Sequence, residues 1–101
     1  QTGSGESIVS FDEIDYLESA RNYVVVHARG REFLVRDTMS NLLDRLADAQ
    51  FVRAHRSYAV NLDKVREIVS VDGGQILRLS SGDDVPLSRG FRDKFRERLV
   101  E

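Results

Sequence analysis

The chain has 101 residues, 41% hydrophobic and 32% charged, enough for one compact domain and too few for a second core. Its longest apolar run, Tyr23-Val24-Val25-Val26, is far short of the ~20 residues a membrane-spanning helix needs, and the lack of cysteine removes disulfides and thiolate metal sites. The net charge of −2 conceals a division that still allows a positive face: residues 1–20 hold Glu6, Asp12, Glu13, Asp15 and Glu18 with no base, so the rest is +3, and residues 53–66 and 89–98 are each locally +3.

In chain order, Gln1-Thr2-Gly3-Ser4-Gly5 reads as flexible, which sets residues 1–6 apart as a linker or expression remnant before a domain over 7–101. Nothing at the start has the pattern of a secretion signal, and the cytoplasm is the expected compartment. Residues 8–10 and 14–20 read as short strands, followed by β-branched strands over 23–28 and 32–36. Gly30, after Arg29, can take positive φ and turn the last two into a hairpin. From Thr38 the period changes: Met39, Leu42, Leu43, Leu46 and Ala47 form one apolar stripe on a helix that packs against a sheet, capped by Asp37 or Thr38.

Residues 51–63 break both periods. Phe51, Val52, Ala54, Tyr58, Val60 and Leu62 are interleaved with Arg53, His55, Arg56 and Asn61, which predicts short strands around a functional loop. Asn61 reads as structural, capping the turn at Leu62 and Asp63, and Tyr58 as core. Residues 64–71 and 75–80 form a hairpin around Asp72-Gly73-Gly74, a turn follows at 81–84, and Pro86 puts the short strand over 85–87 at a sheet edge, because it has no N–H to donate. Phe91, Phe95 and Leu99 then make a second helical stripe with Ser88 as cap and Arg92, Arg96 and Glu97 outward. The prediction is a mainly β fold of small sheets with two short helices. Neither helix has the short-turn partner of a helix-turn-helix.

Three phrases in order, Ile14-Asp15-Tyr16-Leu17-Glu18-Ser19, Asn22-Tyr23-Val24 and Phe51-Val52-Arg53-Ala54-His55-Arg56-Ser57-Tyr58-Ala59-Val60-Asn61, resemble the LytTR output domains of bacterial response regulators, and Val85-Pro86-Leu87-Ser88-Arg89 fits that family's closing strand. The likeness covers about residues 8–100. It implies a sequence-specific duplex DNA binder that places loop side chains in successive major grooves, serves as the output domain of a two-component transcription regulator, and needs no cofactor, metal or catalytic residue. It also implies repeated half-sites, a homodimer in the full-length protein, an isolated domain that can be monomeric, and no membrane contact.

By matching position, the resemblance assigns base contacts to Arg56, Arg89, Asn22 and Tyr23. The chemistry suits the assignment: an arginine fork can bond guanine O6 and N7 together, and asparagine can pair with adenine. Arg21, Arg36, Arg53, His55, Lys64 and Arg92 are expected at the phosphates, giving affinity and salt dependence without sequence information.

Two other readings compete. His27 and His55 with nearby cations could support ribonuclease chemistry, although His27 sits in an apolar strand pattern that favours a structural role. A β-rich interaction module binding protein or single-stranded nucleic acid would need an aromatic platform, and only 8% of residues are aromatic.

Overall fold

Side-chain alternation organises the strands. In the segment Tyr23–Ala28, Val24, Val26 and Ala28 are buried on one face, while Val25 and His27 occupy the other, the two-residue period of a pleated strand. The computed structural model describes residues 9–46 and 50–99. In order these give a 3-10 turn (Phe11–Glu13), β1 (Ile14–Ala20), β2 (Tyr23–Ala28), β3 (Arg31–Val35), α1 (Met39–Leu46), β4 (Phe51–His55), β5 (Tyr58–Asn61), a 3-10 turn (Leu62–Lys64), β6 (Val65–Val71), β7 (Gly74–Leu79), β8 (Asp84–Leu87), a 3-10 turn (Arg89–Phe91) and α2 (Arg92–Leu99).

The strands form two antiparallel sheets, β3-β2-β1-β5-β4 and β6-β7-β8, so the mainly β fold with two short helices predicted from sequence is the observed one. The larger sheet is the middle layer. On one face Ile14, Leu17, Val24, Val26 and Ala28 pack with Met39, Leu42 and Leu46 of α1. On the other, Val52, Ala54 and Val60 pack with Leu77, Leu79, Val85 and Leu87 of the small sheet and with Phe95 of α2. Burying both faces of one thin sheet gives the chain two cores, which corrects the expectation that its length leaves room for only one: the layers on the two faces share the same central strands.

Local chemistry sets the turns. The β2–β3 hairpin closes through Arg29 at φ +55° and Gly30 at φ +73°, the pair of left-handed residues that matches the twist of adjoining strands. Thr38, not Asp37, caps α1: its Oγ1 accepts from the Asn41 N–H at 3.0 Å. Pro86 lies on edge strand β8, as its missing donor requires.

Several expectations need correction. Residues 9 and 10 are not strand: the Ser10 N–H donates to Glu13 Oε1 at 3.0 Å, and the Glu13 N–H donates to the Ser10 carbonyl at 2.9 Å, which commits to a 3-10 turn the groups a ladder would use. Ile8, Ala47 and residues 1–6 lie outside the described residues. β3 begins and ends one residue earlier than expected, at Arg31 and Val35, and Lys64 closes a 3-10 turn instead of opening β6. Ser88 makes no side-chain cap bond; α2 follows a separate 3-10 turn. Within that helical stripe only Phe95 is buried, Phe91 is half-buried and Leu99 is exposed. Arg92 does not point outward: its Nε is buried without a partner among the described residues.

Asn61, 0% exposed, has the structural role read from sequence. Its Nδ2 donates to the Ile14 carbonyl at 2.8 Å, and its Oδ1 accepts from the Asp63 N–H at 3.0 Å and from Gln50 Nε2 at 3.1 Å. Replacing it with alanine leaves buried backbone groups unmet at a cost of about 1–3 kcal/mol. Asn61→Ala is therefore expected to melt roughly 4–20 °C lower, and a melting curve that overlays the parent's would refute that role.

Candidate nucleic-acid interface

Strand direction gathers the loops. β1 and β5 run antiparallel with Glu18 opposite Tyr58, so the turn at Arg21 and Asn22 that ends β1 lies beside the turn at Arg56 and Ser57 that starts β5. The Ser19 N–H donates to the Ser57 carbonyl at 2.8 Å and ties the two together. Val35, the last residue of β3, pairs with Val24, which brings Arg36 to the same end. The Ser88 N–H donates to the Ala54 carbonyl at 2.8 Å, hanging the bend that carries Arg89 next to the end of β4. Four connections from distant parts of the chain thus meet at one end of the central sheet, where Arg21, Asn22, Tyr23, Arg36, Arg56 and Arg89 are all exposed.

These loops are held firmly. Arg21 takes φ +59°, a left-handed conformation uncommon without glycine. In the 56–57 turn, the Ser57 N–H donates to His55 Nδ1 at 3.0 Å. The Arg53 guanidinium donates to the Arg56 carbonyl at 2.9 Å and to Ser40 Oγ of α1 at 3.4 Å.

The arginines differ in their partners. Arg29, Arg45 and Arg78 have carboxylate partners in Glu13, Asp37 and Asp84, at 3.9, 3.4 and 3.0 Å. Among the described residues, Arg21, Arg36, Arg56 and Arg89 have none. Exposed guanidinium groups converging without neutralising carboxylates create a local positive potential that a polyanion would meet.

Not every expected residue joins them. β5 runs away from this end, so Lys64 lies on the order of 15 Å along the sheet from the 56–57 turn, at about 3.3 Å per extended residue. There its carbonyl accepts from the Ser80 N–H at 2.7 Å. Arg92 follows the Arg89 bend but is half-buried. Arg53, expected at a phosphate, uses one donor on the Arg56 carbonyl and another on Ser40 Oγ. Sequence reading missed this internal use of Arg53, and also missed that α1 begins at the same end; the three-residue spacing from Arg53 to Arg56 was the available signal, but strand geometry alone decides where the guanidinium goes.

A second polar network lies on the face of β1 and β2 away from α1. His27 Nε2 contacts Glu18 Oε1 at 3.0 Å, its ring stacks on Tyr16 at 4.0 Å, and its Nδ1 is 3.9 Å from Glu32. The Tyr58 hydroxyl donates to Glu18 at 3.3 Å. Burial pushes the Tyr16 phenol up to about 12, and burial followed by the Glu18 charge raises that of Tyr58. His27 and His55 hold separate partners, with Glu18 and Tyr58 between them. The exposed rings Tyr23 and Phe11 lie at opposite ends of β1 and β2 and do not form one stacking surface together.

Asp15, 8% exposed, has its carboxyl raised above the ordinary value, chiefly by burial, with Lys64 opposing. A raised folded-state value means that the native state holds the proton more tightly than the unfolded chain, so stability falls as pH rises from the unfolded value through the folded one. Asp15→Asn is expected to raise the melting temperature at neutral pH, with the gain disappearing in acid. A gain that grew in acid would reverse this assignment.

The LytTr DNA-binding domain family model matches residues 6–100. The chain is 32% identical over 92 residues to the transcriptional regulatory protein YpdB of Escherichia coli K12, covering 89% of this chain and 38% of that protein. It is 31% identical over 98 residues to the sensory transduction protein LytT of Bacillus subtilis, covering 94% of this chain and 41% of that one. A solved LytTr DNA-binding domain from Bacillus cereus superposes with a TM-score of 0.85 at 25% identity, covering 100% of this chain and 94% of that one. The chain thus spans about two-fifths of the curated relatives' length.

Proposed function

The chain belongs to the LytTR family of DNA-binding domains of transcription regulators, and from that premise we propose that its 21–22, 56–57 and 88–89 bends enter successive major grooves of duplex DNA. Arg56 and Arg89 read base edges, with Asn22 and Tyr23 contacting a base or the adjoining backbone, while Arg21 and Arg36 grip phosphates and set register. The single observation carrying this reading is the convergence of those exposed guanidinium groups, without carboxylate partners among the described residues, on four connections tied together by backbone hydrogen bonds. Residues 7–101 act as the binding unit of a longer cytoplasmic response regulator, one that pairs on repeated half-sites.

Selection from a random duplex library with the purified domain tests the proposal. A recovered consensus supports it, and equal or tighter capture of single strands would favour the platform alternative.

The salt dependence separates phosphate contacts by position. Arg36→Ala is expected to flatten the slope of log affinity against log salt by about 1, whereas Lys64→Ala, at the far end, leaves that slope unchanged. An equal flattening by both would place the DNA elsewhere on the molecule.

A further inference from the structure

We infer that His55 is a positioning residue, whose neutral Nδ1 holds the Arg56 turn in its DNA-reading shape, so that protonating it weakens binding. The inference rests on the reading of Arg56 as a base contact. It reassigns His55, which sequence position alone suggests as a phosphate contact.

The Ser57 N–H donates to His55 Nδ1 at 3.0 Å across two residues, the span over which an asparagine or aspartate side chain closes a turn. A nitrogen that accepts carries no hydrogen, so the neutral ring holds its proton on Nε2. An imidazolium is a donor at both nitrogens and would meet the Ser57 N–H with another N–H. The turn is also held by the pairing of His55 with Tyr58, by Arg53 to the Arg56 carbonyl and by Ser19 to the Ser57 carbonyl, and none of these changes protonation near neutral pH. His55 is thus the one titratable fastening of this turn among the described residues.

The surroundings give the protonated ring nothing in return. The Tyr58 ring meets it edge-on at 5.6 Å, and the Tyr58 hydroxyl is turned to Glu18, whose carboxylate also binds His27. From β8 the nearest tie is a backbone one, Ser88 N–H to the Ala54 carbonyl. Arg53 and Arg56 on the same segment are cations, and no carboxylate forms an ion pair with His55 among the described residues. Protonation therefore removes a hydrogen bond and adds a third positive charge to a pair.

The two roles differ in sign. A histidine bound to phosphate strengthens DNA binding as it charges, whereas a histidine that accepts from Ser57 weakens it. The test compares duplex affinity at fixed salt between roughly pH 8 and pH 5.5, the range in which histidines titrate, for the parent, His55→Asn and His55→Ala. Asparagine can accept the same N–H without titrating. Relative to His55→Asn, the parent is expected to lose about 2- to 12-fold in affinity on acidification, the value of one turn hydrogen bond. His55→Ala is weaker than His55→Asn at both pH values. Comparing parent with His55→Asn cancels titration of His27 and of the DNA.

A second readout needs no DNA. In the free domain at high pH, imidazole nitrogen shifts are expected to show the Nε2–H form, and the Ser57 amide to exchange faster once the ring is protonated. An Nδ1–H form, or a parent that gains more affinity in acid than His55→Asn, overturns the inference. If Arg56→Ala binds as the parent does, the DNA-reading role of the turn fails instead, and the imidazole shifts still decide whether His55 fastens it.

Discussion

The Arg56→Ala/Arg89→Ala double variant is expected to lose about 2–6 kcal/mol of discrimination for its DNA site, while melting within a degree or two of the parent. Each arginine that forks onto a guanine edge contributes roughly 1–3 kcal/mol, and the two sit on different bends, so their losses should add approximately. Each single variant should relax the preference at one base position and leave the other intact. Both side chains are exposed and without carboxylate partners among the described residues, so removing them breaks no internal bond. Measured by competition against random duplex, a double variant that kept its preference would end the proposal, and one that melted like a core mutant would reduce both arginines to structural residues.

Phe95→Ala is expected to cost about 3–5 kcal/mol, the usual penalty for emptying a buried aromatic site, and so to lower the melting temperature by at least about 12 °C. Phe95 is 0% exposed and joins α2 to Val52 and Ala54 of β4 and to Leu87 of β8. That junction supports the start of α2 and, just before it, the bend bearing Arg89, so DNA affinity should fall with stability near the transition. Leu99→Ala, four residues later on the same apparent stripe, removes a side chain that is 40% exposed and should cost well under half as much. Equal destabilisation by the two would show that the stripe is buried along its whole length.

That contrast indicates what is legible before folding. Phe91, Phe95 and Leu99 share a helical period, and the period correctly announces a helix; how deeply each residue is buried depends on where the partner layer stops. The hairpin at Gly30, the capped helix after Thr38, the edge placement of Pro86 and the capping role of Asn61 were all readable, because each follows from the covalent chemistry of one or two residues: positive φ, a hydroxyl acceptor, a missing donor, a short amide. The strand expectation fails at residues 9 and 10 because the Glu13 carboxylate competes for the Ser10 N–H, a contact with no periodic signature.

For the candidate interface, the sequence by itself determined which residues have suitable chemistry. Arg56 and Arg89 stand in phrases distinctive enough to point to a family, and propensity and period are local properties that survive without a fold. Only the tertiary structure decided which of those residues share a surface. Antiparallel pairing of β1 with β5 puts the Arg56 turn beside Asn22 and carries Lys64 to the opposite end, while the Arg53 guanidinium bonds the Arg56 carbonyl. Residues separated in sequence are brought together by strand register and direction, and those are fixed by burying both faces of the central sheet at once.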